Sequence, residues 1–292
     1  MQQAEQTTGK PRPRLFRALG KRDAPQVIDV LGEQYQLIES LKHDSWAATA
    51  IYEGEAGKLI CKFNRQQSIF GFPMKWLGRR LARRETKVMQ IMADCRQIPD
   101  DCGRIYANGK YQDNASGHIF IPGRPMAKDD VVGDDFFPKL RKIIEAMHAR
   151  DIAYVDLNKS ENIIVGDDGD PYMVDFQISF MLPLWWPANW IMRGLLYVLQ
   201  QSDIYHFMKH YIRLRKDQLP PEQQDINRIR PPWIRAWRQL ATPFRETRRR
   251  LLVLLGIRKG SGKSTSEHDP EDAVRRAMQT KAVATENTEK DS

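Results

Sequence analysis

The 292-residue sequence predicts an α+β chain, β-rich and carrying one helix in its first part and mainly helical beyond, of a length that suits one large domain or two lobes. Three observations point there. Short β-rich runs at Tyr35–Leu41, Ala48–Tyr52 and Leu59–Phe63 follow one another with tight turns. A helical stripe then runs from about Met74 to Met92. Beyond two more strands, long helical patterns dominate, interrupted by one β-hairpin.

Within the third run, L-I-C-K-F sets Lys62 at a strand centre, where an ammonium costs free energy to desolvate unless it meets an anion. Taken alone, the same lysine also suits an edge strand that blunts pairing. The following helix places Leu77, Leu81, Val88 and Met92 on one face, and Glu85 falls inside that stripe. A carboxylate on the buried face of a very basic helix needs a cation. Lys87 and the neighbouring arginines can supply one at the surface.

Gly103–Asn108 and Ser116–Ile121 read as further strands and lead into I-P-G-R-P. A helix over Asp134–Arg150 turns Phe137, Leu140, Ile144 and Met147 or His148 inward. Next comes a polar loop holding Asp156, Asn158, Lys159 and Asn162. Ile163–Val165 and Tyr172–Val174 then flank a Gly-Asp-Asp-Gly-Asp-Pro turn, a hairpin ending at Asp175. A rigid strand pair with Asn162 at one end and Asp175 at the other suits Mg²⁺, an ion that takes few protein oxygens and leaves its other positions to water and phosphate. Asp156 stands apart as a carboxylate able to orient a hydroxyl, with Lys159 to neutralise charge.

These elements resemble the protein-kinase superfamily. Y-V-D…N and D-F-Q stand where that family has its catalytic loop and metal-binding D-F-G, and L-I-C-K stands at V-A-I-K. Eight residues separate His148 from Asp156 and thirteen separate Asn162 from Asp175, as in the family. Asp156 to Asn162 is six where the pattern gives five, so one extra residue sits at Leu157 or Asn158. The resemblance implies a two-lobed protein-kinase-like fold and ATP- and Mg-dependent transfer of a phosphoryl group to an acceptor hydroxyl. It gives Asp156 and Lys159 catalytic roles, makes Lys62 the ligand of the α/β-phosphates with Glu85 positioning it, and gives the metal to Asn162 and Asp175. I-F-I-P-G-R-P-M resembles the interlobe hinge, and His148 reads as a helix-terminal structural residue.

The departures from the pattern are specific. L-K-H-D-S-W-A-A-T has no glycine where the family covers the phosphates with G-x-G-x-x-G, and this feature supports a non-catalytic, pseudokinase-type reading. Val155 stands where regulated kinases carry an arginine, and Gln177 replaces the D-F-G glycine, which stiffens that turn. No A-P-E follows. The short segment after Asp175, with the basic helix read at 202–219, resembles the bacterial lipopolysaccharide-core kinases and leaves the acceptor open: a glycan, a lipid-linked sugar or a protein side chain. Trp185, Trp186 and Trp190 read either as lobe packing or as a membrane interface.

The formal charge of +9 is concentrated in two stretches. Residues 1–22 carry six cations against Glu5, and residues 75–87 six against Glu85, leaving the rest of the chain near neutral. Such patches attract phosphates, including those of an anionic membrane. With no recognition motif, specific nucleic-acid binding is not expected. Cys61, Cys95 and Cys102 lack metal spacing and suit a reducing compartment. With no apolar leader and no run of spanning length, the reading is cytoplasmic, with peripheral contact on the inner face of the membrane. The reading bounds a disordered arm at 1–22, a kinase-like domain at 23–258 (lobes about 30–122 and 123–258) and a disordered tail at 259–292. Trp233, Trp237 and the arginines to Arg250 read as a closing helix or a phosphate-contacting surface. The tail's G-S-G-K-S-T is not a phosphate-binding loop, because Gly256 precedes Gly262 by six positions and the motif requires five.

Overall fold

The computed structural model describes residues 17–69, 71–185 and 187–229. Most of the amino-terminal arm, the Trp/Arg stretch after Pro231 and the whole 259–292 tail lie outside the described residues. The chain divides into two compact units. One runs to Thr86 and includes Asp101–Ile119; the other comprises Lys87–Asp100 and the residues from Phe120 onward.

The first unit is built on a seven-stranded sheet. In chain order its strands are β1 (Val27–Val30), β2 (Glu33–His43), β3 (Ala47–Gly54), β4 (Gly57–Asn64), β5 (Ile105–Ala107), β6 (Lys110–Tyr111) and β7 (Ala115–Ile119). Their spatial order is β6-β5-β1-β2-β3-β4-β7, and every pairing is antiparallel. Period-2 alternation decides what β4 shows to each side. Leu59, Cys61 and Phe63 join Ile28, Val30, Tyr52 and Ile105 in a core, while Lys62 turns the other way, between Thr49 on β3 and Ser116 on β7. Lys62 is therefore in an interior strand, not at an edge. Cys61 and Cys102 pack so closely over Gly117 that a Cβ there would stand 2.9 and 2.8 Å from their sulfurs. All three cysteines are free thiols.

Strand β1 escaped the sequence reading because Val27–Val30 is too short to display a period. Within the stretch read as a basic arm, residues 17–22 are described: Ala18 is buried and its carbonyl accepts hydrogen bonds from the Gln66 and Gln67 amides.

Helix α1 (Lys75–Ile91) has a narrower buried face in this unit than expected. Gly78, Ala82 and Glu85 are buried, and Leu77 and Leu81 only half so. The cause is a close approach: a Cβ at Gly78 would lie 2.2 Å from the Arg65 carbonyl oxygen, so only small residues fit against that strand end.

The second unit is organised by α2 (Phe136–Ala149) and α3 (Ala188–Arg215). Phe136, Phe137, Leu140, Ile143, Ile144 and Met147 give α2 one continuous apolar stripe. Phe137 stacks on Tyr211 of α3 with ring centroids 4.5 Å apart, and Phe207 meets it edge-on. Strand β8 (Gly123–Pro125) pairs with the hairpin of β10 (Ile163–Gly166) and β11 (Pro171–Met173), and β9 (Ile152–Ala153) pairs with β12 (Phe180–Met181). Nothing breaks the chain at Gln201–Ser202, so the two helices expected on either side are one 28-residue helix.

Trp185 and Trp190 do not pack the lobe, and Trp186 lies outside the described residues. Met192, Leu196 and Leu199 of α3 lie against β9 and β12, and Trp190, on the opposite side by helical spacing, is 74% exposed; Trp185 is 67% exposed. No helix among the described residues is long and apolar enough to cross a membrane.

Candidate active site

In the first unit, Lys62 Nζ donates to Glu85 Oε1 at 2.9 Å, and Ser116 Oγ donates to Glu85 Oε2 at 2.6 Å. Both charged residues are buried. Strand register sets this up, because Ser116 is opposite Lys62 across β4 and β7 and both side chains reach the same carboxylate. Each oxygen of Glu85 thus has its own donor, the condition under which a buried ion pair is tolerated. The surface capture of Glu85 by Lys87 or the helix arginines is not observed.

The turn between β2 and β3, where a glycine-rich loop was missing, is closed on itself. Asp44 Oδ1 accepts the backbone N–H of Trp46 at 2.6 Å and of Ala47 at 2.9 Å, and Oδ2 pairs with Lys42 at 3.1 Å. Burial works to raise the Asp44 pKa, but Lys42 and the two amides outweigh it and hold the carboxyl below its usual value. A carboxylate of the chain itself occupies amides that a glycine loop would turn toward phosphate.

In the second unit, Asp156 Oδ2 accepts from Lys159 Nζ at 2.6 Å and from Asn162 Nδ2 at 3.2 Å. Burial would lower the Lys159 pKa, yet Asp156, with the charges of Asp175 and Glu161, raises it, so the ammonium is firmly charged. The Asn162 carbonyl accepts from Val174 N–H at 3.1 Å, which ties the loop to the strand end just before Asp175. Asp156, Lys159, Asn162 and the approach to Asp175 are thereby brought together by the hairpin. Asp175 itself has φ of +64° and Val155 of +74°. The second is costly for a β-branched residue, and such strain persists only where surrounding contacts impose it.

Those contacts come from a residue the sequence reading passed over. Asp203 of α3, wholly buried, accepts the backbone N–H of Tyr154 at 2.7 Å and of Val155 at 2.8 Å, and His148 Nε2 lies 3.2 Å away. The Tyr154 hydroxyl donates to the Val174 carbonyl and Ser179 Oγ to the Tyr154 carbonyl. His148 is thus structural, as expected. Asp203 was findable, since it shares the i, i+4, i+7 face of Leu199, Phe207 and His210, an acid inside an apolar stripe.

The extra loop residue is anchored by two consecutive α3 residues. His210 Nε2 donates to the Leu157 carbonyl at 2.8 Å, and Lys209 Nζ donates to Asn158 Oδ1 at 2.8 Å. Burial pushes the His210 pKa down to about 4, so the ring is neutral with its proton on Nε2. Gln177, in place of glycine, leaves its Nε2 buried with no partner among the described residues.

The donors fit a nucleotide-borne Mg²⁺. The Asn162 amide nitrogen is committed to Asp156, leaving its oxygen as acceptor, and Asp175 adds a carboxylate. Among the described residues no cluster of three or more His, Cys, Asp or Glu exists to cage an ion, so phosphate and water would complete such a site, as Mg²⁺ prefers.

The first unit is thus a small antiparallel sheet carrying one helix and the second a larger, mainly helical body, an α+β organisation. No protein-family model matches the chain. No curated protein matches its sequence. Among solved structures it is similar to the Rio2 kinase of Chaetomium thermophilum in its ADP/Mg²⁺-phosphoaspartate complex, with 15% identity over 63% of this chain and 58% of that one and a TM-score of 0.43. A second structure of the same kinase gives 12% identity over 63% and 60%, with a TM-score of 0.42. The chain spans about three fifths of the length of those structures.

Proposed function

We propose that the protein is a phosphotransferase that moves the γ-phosphoryl group of ATP to an acceptor hydroxyl. The observation that carries this reading is the Asp156–Lys159–Asn162 cluster, in which one carboxylate oxygen receives both an ammonium and an amide. A carboxylate so fixed can orient a hydroxyl and accept its proton, while Lys159 supplies positive charge beside the transferring group. Lys62, held by Glu85, takes the α/β-phosphates. Asn162 and Asp175 would hold Mg²⁺, which neutralises phosphate charge when bound.

The acceptor we favour is a sugar of the cell-envelope glycan or lipopolysaccharide core, with a protein serine or threonine as the alternative. The segment from Gln177 to Trp185 is short and leaves no platform for a bound peptide. The free thiols suit a cytoplasmic setting. A second reading, nucleotide binding without turnover, is supported by Asp44 occupying the amides of the β2–β3 turn.

The test is Mg²⁺-dependent ATP consumption by the full chain with envelope glycolipid, with a generic protein, and with neither. Asp156→Asn should lower turnover by at least about a hundredfold, the scale of general-base catalysis, and leave nucleotide affinity within a few fold. Unchanged transfer in that variant would remove Asp156 from the chemistry. Nucleotide binding with no turnover under any acceptor would favour the second reading.

A further inference from the structure

Helix α1 turns Glu85 inward and presents a face of one sign outward. Counted at 100° per residue from Glu85, Arg79, Trp76, Arg83, Arg80 and Arg84 occupy the half of the helix away from the sheet, with Lys75 at its margin. Lys75, Trp76, Arg79, Arg80 and Arg83 are exposed and Arg84 half so. Five cations therefore line about 14 Å of helix with no acid among them. Arg79 Nε pairs with Asp113 at 2.6 Å, and the other four have no ion pair among the described residues. The Arg84 pKa is lowered, by burial first and then by the charge of Arg80. Such a row is self-repelling until an anionic surface meets it.

Two large exposed apolar side chains accompany this row, Trp76 within it and Phe72 in the segment that leads into the helix. Phe72, just before the helix, is 73% exposed, and Trp76, one turn on, is 59% exposed. Together they decide the occupant. A nucleic-acid backbone or an acidic peptide would satisfy the cations and leave both rings in water. A bilayer surface takes both, with phosphates against the guanidinium groups and rings at the headgroup boundary. The exposed face of α3 around Trp190 lacks this complementarity, because its one cation, Arg193, already faces Asp151 at 3.9 Å. We propose that the outer face of α1, from Phe72 to Arg84, docks this protein onto an anionic phospholipid bilayer. The proposal does not depend on the chain being a phosphotransferase.

The test uses the full chain and sedimentation with vesicles of phosphatidylcholine alone or with 30 mol% phosphatidylglycerol. Binding to the anionic vesicles only is expected, and it should weaken as salt is raised. At roughly fivefold per cation near an anionic surface, Arg80→Ser, Arg83→Ser and Arg84→Ser combined should weaken partitioning about a hundredfold. Trp76→Ser alone, which changes no charge, should weaken it several fold and abolish any blue shift of tryptophan emission on binding. Circular dichroism of each variant must match the parent; where the triple variant does not fold, Trp76→Ser and the salt series decide. Equal binding of parent and variants, no binding, or binding to duplex DNA or RNA in preference to vesicles would each overturn the proposal. ATP turnover without lipid should be the same in parent and variants, so this result and that for Asp156 are read separately.

Discussion

Lys62 Nζ and Glu85 Oε1 meet at 2.9 Å with side chains only 11% and 2% exposed, and the second carboxylate oxygen is taken by Ser116. Removing one partner leaves a desolvated charge alone, which costs about 3–5 kcal/mol. Glu85→Ala should therefore lower the thermal midpoint by roughly 6–20 °C at this domain size. The double substitution Lys62→Met, Glu85→Leu should recover most of that loss in scanning calorimetry and, on the phosphotransferase reading, abolish nucleotide affinity. A double variant no more stable than the single would show that the pair is not what stabilises this part of the sheet.

How far the sequence carries is visible in this pair. Lys62 and Glu85 were legible because each breaks an apolar pattern, one in a strand and one in a helix, and the two violations resolve each other. Asp156, Asn162 and Asp175 were legible through hairpin spacing. Three features were not legible for physical reasons. The small face of α1 depends on a backbone approach to Arg65 from a distant strand end. The closed β2–β3 turn depends on Asp44 using its side chain in place of glycine amides. The exposure of Trp190 depends on which side of α3 meets β9, and the Pro-broken run of tryptophans before the helix does not reveal where that side begins.

Asp203 should behave as a positioning residue for the loop that ends at Asp156. It receives two backbone amides from Tyr154 and Val155 and sits beside His148. Asp203→Asn keeps one acceptor and turns the other into a donor facing an amide, which leaves a buried group unsatisfied at about 1–3 kcal/mol. Expected outcomes are a lower urea midpoint and, on the phosphotransferase reading, a fall in kcat larger than the change in KM for ATP. An unaltered urea midpoint would show that the clamp contributes nothing to stability.

Burial lowers the pKa of three histidines, His43, His206 and His210, and the last two are displaced furthest. Burial pushes both down to about 4 from an ordinary value near 6.5, so each is neutral in the fold and binds a proton on unfolding. Their contribution is fully present above about pH 6.5 and is lost progressively as pH falls toward 4, because the unfolded chain then binds the more protons. Each shift is worth up to about 3 kcal/mol. Urea unfolding at pH 7 and pH 5 should show lower stability at pH 5, and the combined change His206→Asn, His210→Asn should flatten that difference. A pH dependence as steep in the double variant would assign it to other groups.

Gly78→Ala gives the sharpest contrast between local and tertiary effects. In an exposed helix the change should stabilise by up to about 1 kcal/mol, since alanine is the better helix former. Here the added Cβ would stand 2.2 Å from the Arg65 carbonyl oxygen and 3.1 Å from its carbon, both backbone atoms that cannot swing aside. The helix must move by more than half an ångström, and overpacking of this kind costs typically 1–3 kcal/mol. Tertiary contact therefore wins, and the net effect is destabilising. The same displacement carries Glu85, two turns on, away from Lys62, so on the phosphotransferase reading Gly78→Ala should weaken nucleotide binding even in the folded protein, as read by titration of a fluorescent ATP analogue. A Gly78→Ala variant that melts higher than the parent and binds as tightly would mean that α1 is free to shift and that the close approach at Arg65 does not position Glu85.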